Sequence, residues 1–274
     1  MLVTCEDMLK LAYSTGRAIP SPDFVDSNSV RAFVRTAEEL NAPIILSFAE
    51  VHQDHLSLEE AADLGLFYAK RATVPVALHL DHGTSLETVQ KAIDLGFTSV
   101  MIDASAKSLQ DNIAITRDVT QLAHEKGITV EAEIGHVGSE DDSGPHGVSD
   151  QVYTEVSAAE EMLKETGVDM LAVAVGTAHG KYKGTPHINF QRLQELNEAL
   201  HLPLVLHGGS GTGDENLSRC AKLGVCKVNL YTDFIVSALD AVYEQHPDHW
   251  LTLLHTGDEA MSKVLAHYYK VLGW

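Results

Sequence analysis

Along the chain, short runs rich in valine, isoleucine and leucine alternate with longer segments in which apolar residues recur at helical spacing. Such runs predict strands buried on both faces, as in a parallel sheet built from strand–helix–strand units. Eight strands are predicted, at Arg17–Pro20, Ile44–Phe48, Val76–Leu80, Ser99–Ile102, Thr129–Glu133, Met170–Val175, Leu204–His207 and Lys227–Leu230. Helices are predicted between them, among others at Ser27–Leu40, Leu58–Ala72, Ser85–Leu95, Leu109–Lys126, Ser157–Thr166, Phe190–Leu200 and Asp214–Leu223, several opening on a serine or aspartate suited to capping. Eight strand–helix units in 274 residues predict an α/β fold, a single-domain (β/α)8 TIM barrel over 1–274, with a doubly wound sheet as the alternative. Pro20 and Pro22 shorten the first strand.

Three of the buried runs end in polar residues that do not belong in a core. Val74 to Leu78 leads into His79-Leu80-Asp81-His82-Gly83, Leu171 to Val175 into Gly176-Thr177-Ala178-His179-Gly180, and Leu202 to Leu206 into His207-Gly208-Gly209-Ser210-Gly211. In a barrel, His82, His179 and His207 converge on one mouth, and three imidazoles with an open position suit a catalytic Zn2+. Asp81 places a candidate proton-transfer group beside that ligand. Asp103 ends the fourth strand and Glu133 the fifth, adding carboxylates able to bind metal or to orient a ligand histidine. Glu131 shares the parity of Glu133 but lies deeper, and reads as a buried paired acid. His52, His55, His124, His201, His246 and His249 sit in helical or loop contexts and read as surface residues.

Gly208 to Gly211 and Asn229-Leu230-Tyr231-Thr232-Asp233 follow the seventh and eighth strands, where backbone N–H groups and a helix N-terminus make the habitual phosphate cradle of such barrels. Gly135 to Tyr153, acidic at Glu140, Asp141 and Asp142, and Gly176 to His187, with Lys181 and Lys183, follow the fifth and sixth strands and read as long loops at the active face.

A net charge of −20 argues against nucleic acid or an anionic membrane as partner, so an anionic substrate must find local donors. Cys5, Cys220 and Cys226 are odd in number and without CxxC spacing, which fits reduced thiols in the cytoplasm. No apolar stretch approaches the roughly 20 residues that span a bilayer, and the first residues lack a secretory signal pattern. A cytoplasmic location is expected.

The segments HLDHG, MIDAS, EAEIGHVG, GTAHGKYKGTP, LHGGSG and KVNLYT occur in that order. With them the chain, from about Ala42 to Asp233, resembles the class II metal-dependent ketose-bisphosphate aldolases, nearest to the tagatose-bisphosphate branch. The resemblance implies a zinc-dependent aldolase that reversibly cleaves a ketose 1-phosphate or 1,6-bisphosphate into dihydroxyacetone phosphate and an aldehyde. It implies that His82, His179 and His207 hold zinc, that Asp103 and Glu133 brace them or offer an alternative seat, and that Asp81 serves the C4 hydroxyl. Gly180, Gly208, Ser210 and Thr232, in a binding set completed by Gly209 and Tyr231, would meet the phosphate half, and Asn229 the hydroxyl and enediolate. A monovalent cation, Na+ or K+, is implied near the carbonyls of Ala178, Gly180 and Gly208, a second acid at Asp141 or Glu140, and assembly as a homodimer or homotetramer.

The N-terminal part departs from the family. Relatives show Ala-Phe-Asn and a further Asn after the first strand, where this chain has Arg17-Ala18-Ile19-Pro20-Ser21-Pro22-Asp23-Phe24-Val25-Asp26, and a hydroxyl-bearing residue after the second strand is replaced at Ala49-Glu50. An anionic Glu50 pointing into the mouth would repel a second phosphate and favour an unphosphorylated or otherwise modified aldehyde, unless it pairs with Arg17 or faces solvent. A sugar-phosphate sensor or companion subunit would show a broken metal set, but Asp81 and the three histidines are present. A zinc hydrolase would need an HxH pair on the first strand, which Arg17-Ala18-Ile19-Pro20 lacks.

Overall fold

The computed structural model describes residues 1–135, 153–180, 182 and 184–274. The strands are β1 (Ile19–Pro22), β2 (Ile44–Ala49), β3 (Val76–Gly83), β4 (Ser99–Ile102), β5 (Thr129–Ile134), β6 (Met170–Val173), β7 (Leu204–Leu206) and β8 (Val225–Leu230). Every ladder is parallel and the order is β1-β8-β7-β6-β5-β4-β3-β2, a barrel closed except for a full ladder between β1 and β2. Around it run α2 (Ser27–Glu39), α3 (Leu58–Ala69), α4 (Leu86–Leu95), α5 (Leu109–His124), α6 (Val156–Thr166), α7 (Phe190–Leu200), α8 (Asp214–Lys222), α9 (Thr232–Gln245) and α10 (Trp250–Leu272). Among the described residues no helix is long and apolar enough to cross a membrane.

Alternation along the strands sorts the side chains. One set, such as Leu78 and Leu80, Val100 and Ile102, Val130 and Ala132, packs outward in the core shared with the helices. The other set points inward and changes character with height. At the floor, Ile19, Ile45, Ala77, Met170, Ala172, Val205 and Cys226 meet Met8, Leu9 and Ala12 of α1 (Glu6–Thr15), which plugs the N-terminal end. Above lies a buried polar layer of Ser21, Ser47, His79, Ser99, Glu131 and Lys227. Asp23, Asp81, Glu133 and Asn229 follow, each two residues further on, and with His207, two residues beyond Val205 of the floor, they are buried polar residues toward the C-terminal mouth.

The predicted strands are present, with β1 displaced from Arg17–Pro20 to Ile19–Pro22. Its prolines are tolerated because of where their nitrogens face. Asp23 N donates to Leu230 O of β8, and Phe24 N donates to Ser47 O of β2. By the same alternation Pro20 and Pro22 direct their nitrogens toward β2, so the ladder with β8 loses no donor while the seam with β2 does. That seam is joined instead by the Asp23–Ser47 bridge and by Ser21 Oγ and Ser47 Oγ at 2.5 Å. The helices α1, α9 and α10 were not among those predicted, since their apolar positions are read only against the floor and flank they cover. The three cysteines are free and buried.

Leu9 is 2% exposed against the floor, remote from the mouth. Leu9→Ala is expected to lower unfolding free energy by about 2–5 kcal/mol, read from urea melts, with kcat unchanged.

Candidate active site

Strict alternation would turn His82 outward with Leu80. The β3–β4 register instead slips between Leu80 and Gly83, and His82 adopts φ 48°, a left-handed conformation costly for a side chain of this size. The bulge turns Asp81 and His82 toward the same mouth. Gly83 is fixed by close approach, since a Cβ there would stand 2.6 Å from Met101 O.

His82, His179 and His207 meet as predicted, with ring centroids 5.1, 4.6 and 5.8 Å apart and ligating nitrogens within 4.8 Å of one another. His82 Nδ1 lies 2.8 Å from Asp103 Oδ2, and His207 Nε2 lies 2.8 Å from Glu131 Oε1. Each imidazole thus donates its outer N–H to a carboxylate, which leaves the inner nitrogen as a lone-pair donor. Those inner nitrogens, His82 Nε2 and His207 Nδ1, face each other at 2.9 Å. Their lone pairs converge there with the imidazole of His179 within reach, so the donor set fits a divalent metal touching all three rings, and in its place a single proton bridges the pair. Glu133 Oε2 stands 3.6 Å from His207 Nδ1, and Asp103 and Glu133 form a second possible ligand group with His82.

Without a metal, a proton has to fill that role. Burial lowers the basicity of His82, but Asp81, Asp103 and Glu133 outweigh it and push its pKa up to about 10. Burial, then the neighbouring His82 charge, hold His207 well below the usual imidazole range. Metal binding therefore displaces a proton from His82.

A third group, His79, Asp81 and Glu131, also has metal-ligand spacing. There the cation is a lysine: Lys227 Nζ is 2.8 Å from Glu131 Oε2 and 3.9 Å from Asp81 Oδ1, all three being buried. Burial opposes the ammonium, and Glu131 and Asp81 outweigh it, so its pKa is raised. Glu131 is the buried paired acid predicted, with one oxygen on Lys227 and the other on His207. Lys227 and His79 had no role assigned from the sequence. The available signal was a polar residue inside an apolar strand, Lys227 between Cys226 and Val228 and His79 between Leu78 and Leu80.

Asp81 accepts 2.8 Å from Asn229 Nδ2. Burial raises its carboxyl, but His82, Lys227 and His207 prevail and bring the pKa to about 2. Asp23, across the mouth, goes the other way: burial and then the Asp81 charge raise it well above the usual carboxylate range. The surroundings therefore push the two acids in opposite directions.

The loops after β7 and β8 adjoin. A Cβ at Gly209 would meet Val228 Cγ1 at 2.4 Å and Asn229 O at 2.8 Å, so only glycine lets them approach this closely. Ser210 Oγ accepts from Tyr231 N at 3.2 Å and Asp233 N at 3.3 Å, which ties the glycine loop to the first turn of α9. Tyr231 gives that helix no side-chain cap, and the hydroxyl of Ser210 serves its first turn from the neighbouring loop. Gly180, Gly208, Ser210, Asn229, Tyr231 and Thr232 line a cavity of about 440 Å³ together with the histidines and acids. Gly209 lies behind it.

Two expectations change, and one lies outside the described residues. His52, read as a surface residue, lines the mouth and stacks on Tyr231 with centroids 4.8 Å apart, because a short helical turn at Glu50–His52 folds it back over β2. Glu50 faces neither the mouth nor Arg17. Its carboxylate accepts from Thr84 N at 2.6 Å and Thr88 Oγ1 at 2.9 Å, near the start of α4, while Arg17 stacks on Trp274. Glu140 and Asp141 lie outside the described residues, as do Asp142, Lys181 and Lys183.

A parallel barrel with three clustered imidazoles, bracing carboxylates and glycine-bearing loops at its C-terminal mouth defines a TIM-barrel enzyme with a candidate metal site. The family model for class II fructose-bisphosphate aldolase matches residues 3–274, and the chain belongs to that family. The fructose-bisphosphate aldolase of Staphylococcus aureus is 38% identical over 246 residues, covering 88% of this chain and 85% of that protein. That of Staphylococcus epidermidis is 38% identical over 248 residues, covering 89% and 85%. The crystal structure of the YdjI aldolase from Escherichia coli K12 superposes with a TM-score of 0.91 at 32% identity, covering 100% of this chain and 98% of that one. The chain is accordingly an aldehyde-lyase of a metal-dependent family.

Asp103→Asn is expected to weaken divalent-metal affinity about 10–100-fold, measured by competition with a chromophoric chelator. Lys227→Met, leaving Glu131 buried without its cation, is expected to cost about 3–5 kcal/mol in a urea melt, and Glu131→Gln added to it to recover much of that loss.

Proposed function

We propose that this protein is a zinc-dependent aldolase that cleaves a ketose 1-phosphate or ketose 1,6-bisphosphate reversibly into dihydroxyacetone phosphate and an aldehyde, in the cytoplasm and as a homodimer or homotetramer. The observation that carries it is the pair of inward-facing imidazole nitrogens at 2.9 Å, whose outer nitrogens are already committed to carboxylates, beside an ionised aspartate. His82, His179 and His207 hold the zinc, and Asp103 and Glu133 brace the ligands or provide a second seat. Bound there, the metal supplies a Lewis acid for the ketone oxygen, where negative charge develops as the carbon–carbon bond breaks.

The chain's own residues do the rest. Asp81, ionised and held by Asn229, receives the proton of the C4 hydroxyl during cleavage and gives it back in condensation. Asn229 has its Oδ1 buried without a hydrogen-bond partner, ready for a substrate hydroxyl. Gly180, Gly208, Ser210, Tyr231 and Thr232 form the cradle for the phosphate of the dihydroxyacetone half, and Gly209 behind them lets the two loops approach. Asp141 or Glu140 supplies the acid that protonates the enediolate carbon. Of the carbonyls expected around Na+ or K+, that of Gly208 already accepts from Tyr182 Oη and Thr212 Oγ1, both at 2.9 Å.

Protein stripped of divalent ions by a chelator is expected to lose at least about 10³-fold of its release of dihydroxyacetone phosphate from ketose phosphates, and to regain it with Zn2+. In the loaded protein, Asp81→Asn is expected to lower kcat about 10²–10⁴-fold with little change in KM. Full activity in the stripped protein would defeat the proposal.

A further inference from the structure

His82 belongs to β3 and His207 follows β7 directly, so two of the three imidazoles sit on or beside a strand. His179 does not. The ladder between β6 and β7 ends at Ala172 and Val205, and β6 itself ends at Val173, well short of His179. This loop residue must still be aimed as closely as the other two. Zinc takes imidazole nitrogens at about 2.0–2.1 Å, and a ligand set tolerates displacements of only about 0.5 Å.

A phenol fastens the loop that carries His179 to the loop after β7. Tyr182 Oη accepts from Ala178 N at 2.8 Å and donates to Gly208 O at 2.9 Å. Ala178 immediately precedes His179, and Gly208 immediately follows His207. One hydroxyl thus joins the backbones beside two histidines whose ring centroids lie 5.8 Å apart. The joint is tight: a Cβ at Gly208, where φ is 65°, would stand 2.2 Å from Ala178 O. The ring of Tyr182 lies along the glycine loop, its Cδ2 3.1 Å from where a Cβ of Gly211 would be. Burial holds the phenol above its usual range, so the proton stays on the oxygen that donates it. Thr212 Oγ1 also donates to Gly208 O, at 2.9 Å, but Thr212 and Gly208 share one loop, and that bond joins nothing across.

We propose that Tyr182 is a positioning residue: by bridging Ala178 N and Gly208 O, its hydroxyl sets the spacing of His179 and His207 and holds Gly180 close to Gly208 and Ser210 across the cradle. The inference rests on the metal-site reading and deepens it, since one hydroxyl acting through backbone governs both metal affinity and the hold on the phosphate half. A phenyl ring in its place keeps the packing on Gly211 and removes the bridge.

The test compares Tyr182→Phe and Thr212→Val with the unaltered full chain. In competition with a chromophoric chelator, stripped Tyr182→Phe is expected to bind Zn2+ about 10-fold or more weakly, and Thr212→Val to stay within about 3-fold, because it keeps the bond to Ala178. The d–d absorption of the Co2+-loaded protein, which reports ligand geometry, is expected to change in Tyr182→Phe alone. In condensation by the Zn2+-loaded protein, Tyr182→Phe is expected to raise the KM for dihydroxyacetone phosphate about 5-fold or more and that for glyceraldehyde less than about 2-fold. Urea melts of the metal-free chains check folding, and Tyr182→Met stands in if the phenylalanine variant does not fold. Unchanged Zn2+ affinity and Co2+ spectrum in Tyr182→Phe, an unmoved KM for dihydroxyacetone phosphate, or equal losses in Thr212→Val would overturn the role of Tyr182 alone. Zn2+ binding without turnover would overturn the aldolase reading while the first two readouts still decide the role of Tyr182. An unaltered chain that binds no Zn2+ would overturn the metal site and that role together.

Discussion

A lysine ammonium sealed inside the barrel is what the mouth is built on. Lys227 holds one oxygen of Glu131, whose other oxygen holds His207, whose far nitrogen faces His82, which in turn is held by Asp103. Removing any member leaves a buried charge or polar atom without its partner, and the low dielectric makes that expensive. The chain also explains the layered interior. Metal-binding imidazoles must be aimed to a few tenths of an ångström, and a wet or flexible support could not do this. A dry polar layer beneath the mouth, itself resting on an apolar floor sealed by α1, can.

The same electrostatics divide labour at the surface of the cavity. Asp81 lies among His82, Lys227 and His207 and is ionised. Asp23 is buried and feels the Asp81 charge, and both raise its pKa well above the usual carboxylate range. Two aspartates of one cavity are thus driven in opposite directions by environment and not by residue type. The loops after β7 and β8 are instead brought together by backbone contacts: Gly209 permits their close approach, and Ser210 Oγ accepts from Tyr231 N and Asp233 N at the start of α9.

Much of this was legible in the order of residues. The eight strands, most of the flanking helices and the convergence of His82, His179 and His207 follow from apolar runs that end in polar residues at one end of a parallel barrel. Glu131 was recognisable as a paired acid by its parity with Glu133. What escaped notice needed a partner strand to be interpreted. Lys227 inside β8 makes sense only once Glu131 of β5 is beside it, and His52 joins the site only because a three-residue turn returns it over β2. Glu50 carries the same charge in any reading, yet its hydrogen bonds to Thr84 and Thr88 remove it from the mouth.

The sequence by itself determined the barrel and the gathering of His82, His179 and His207 at strand ends, because hydrophobic period and strand-end chemistry are local properties of the chain, and its motifs carried the resemblance to the aldolase family. Tertiary structure alone decided where those residues aim. The left-handed His82 and the slipped β3–β4 register turn a ligand that alternation would have sent outward. The proline nitrogens of β1 leave the β2 seam without a full ladder and Asp23 at the rim beside it. Neither effect is encoded within one segment: each arises from register between strands far apart in sequence, and register is fixed only when the barrel closes.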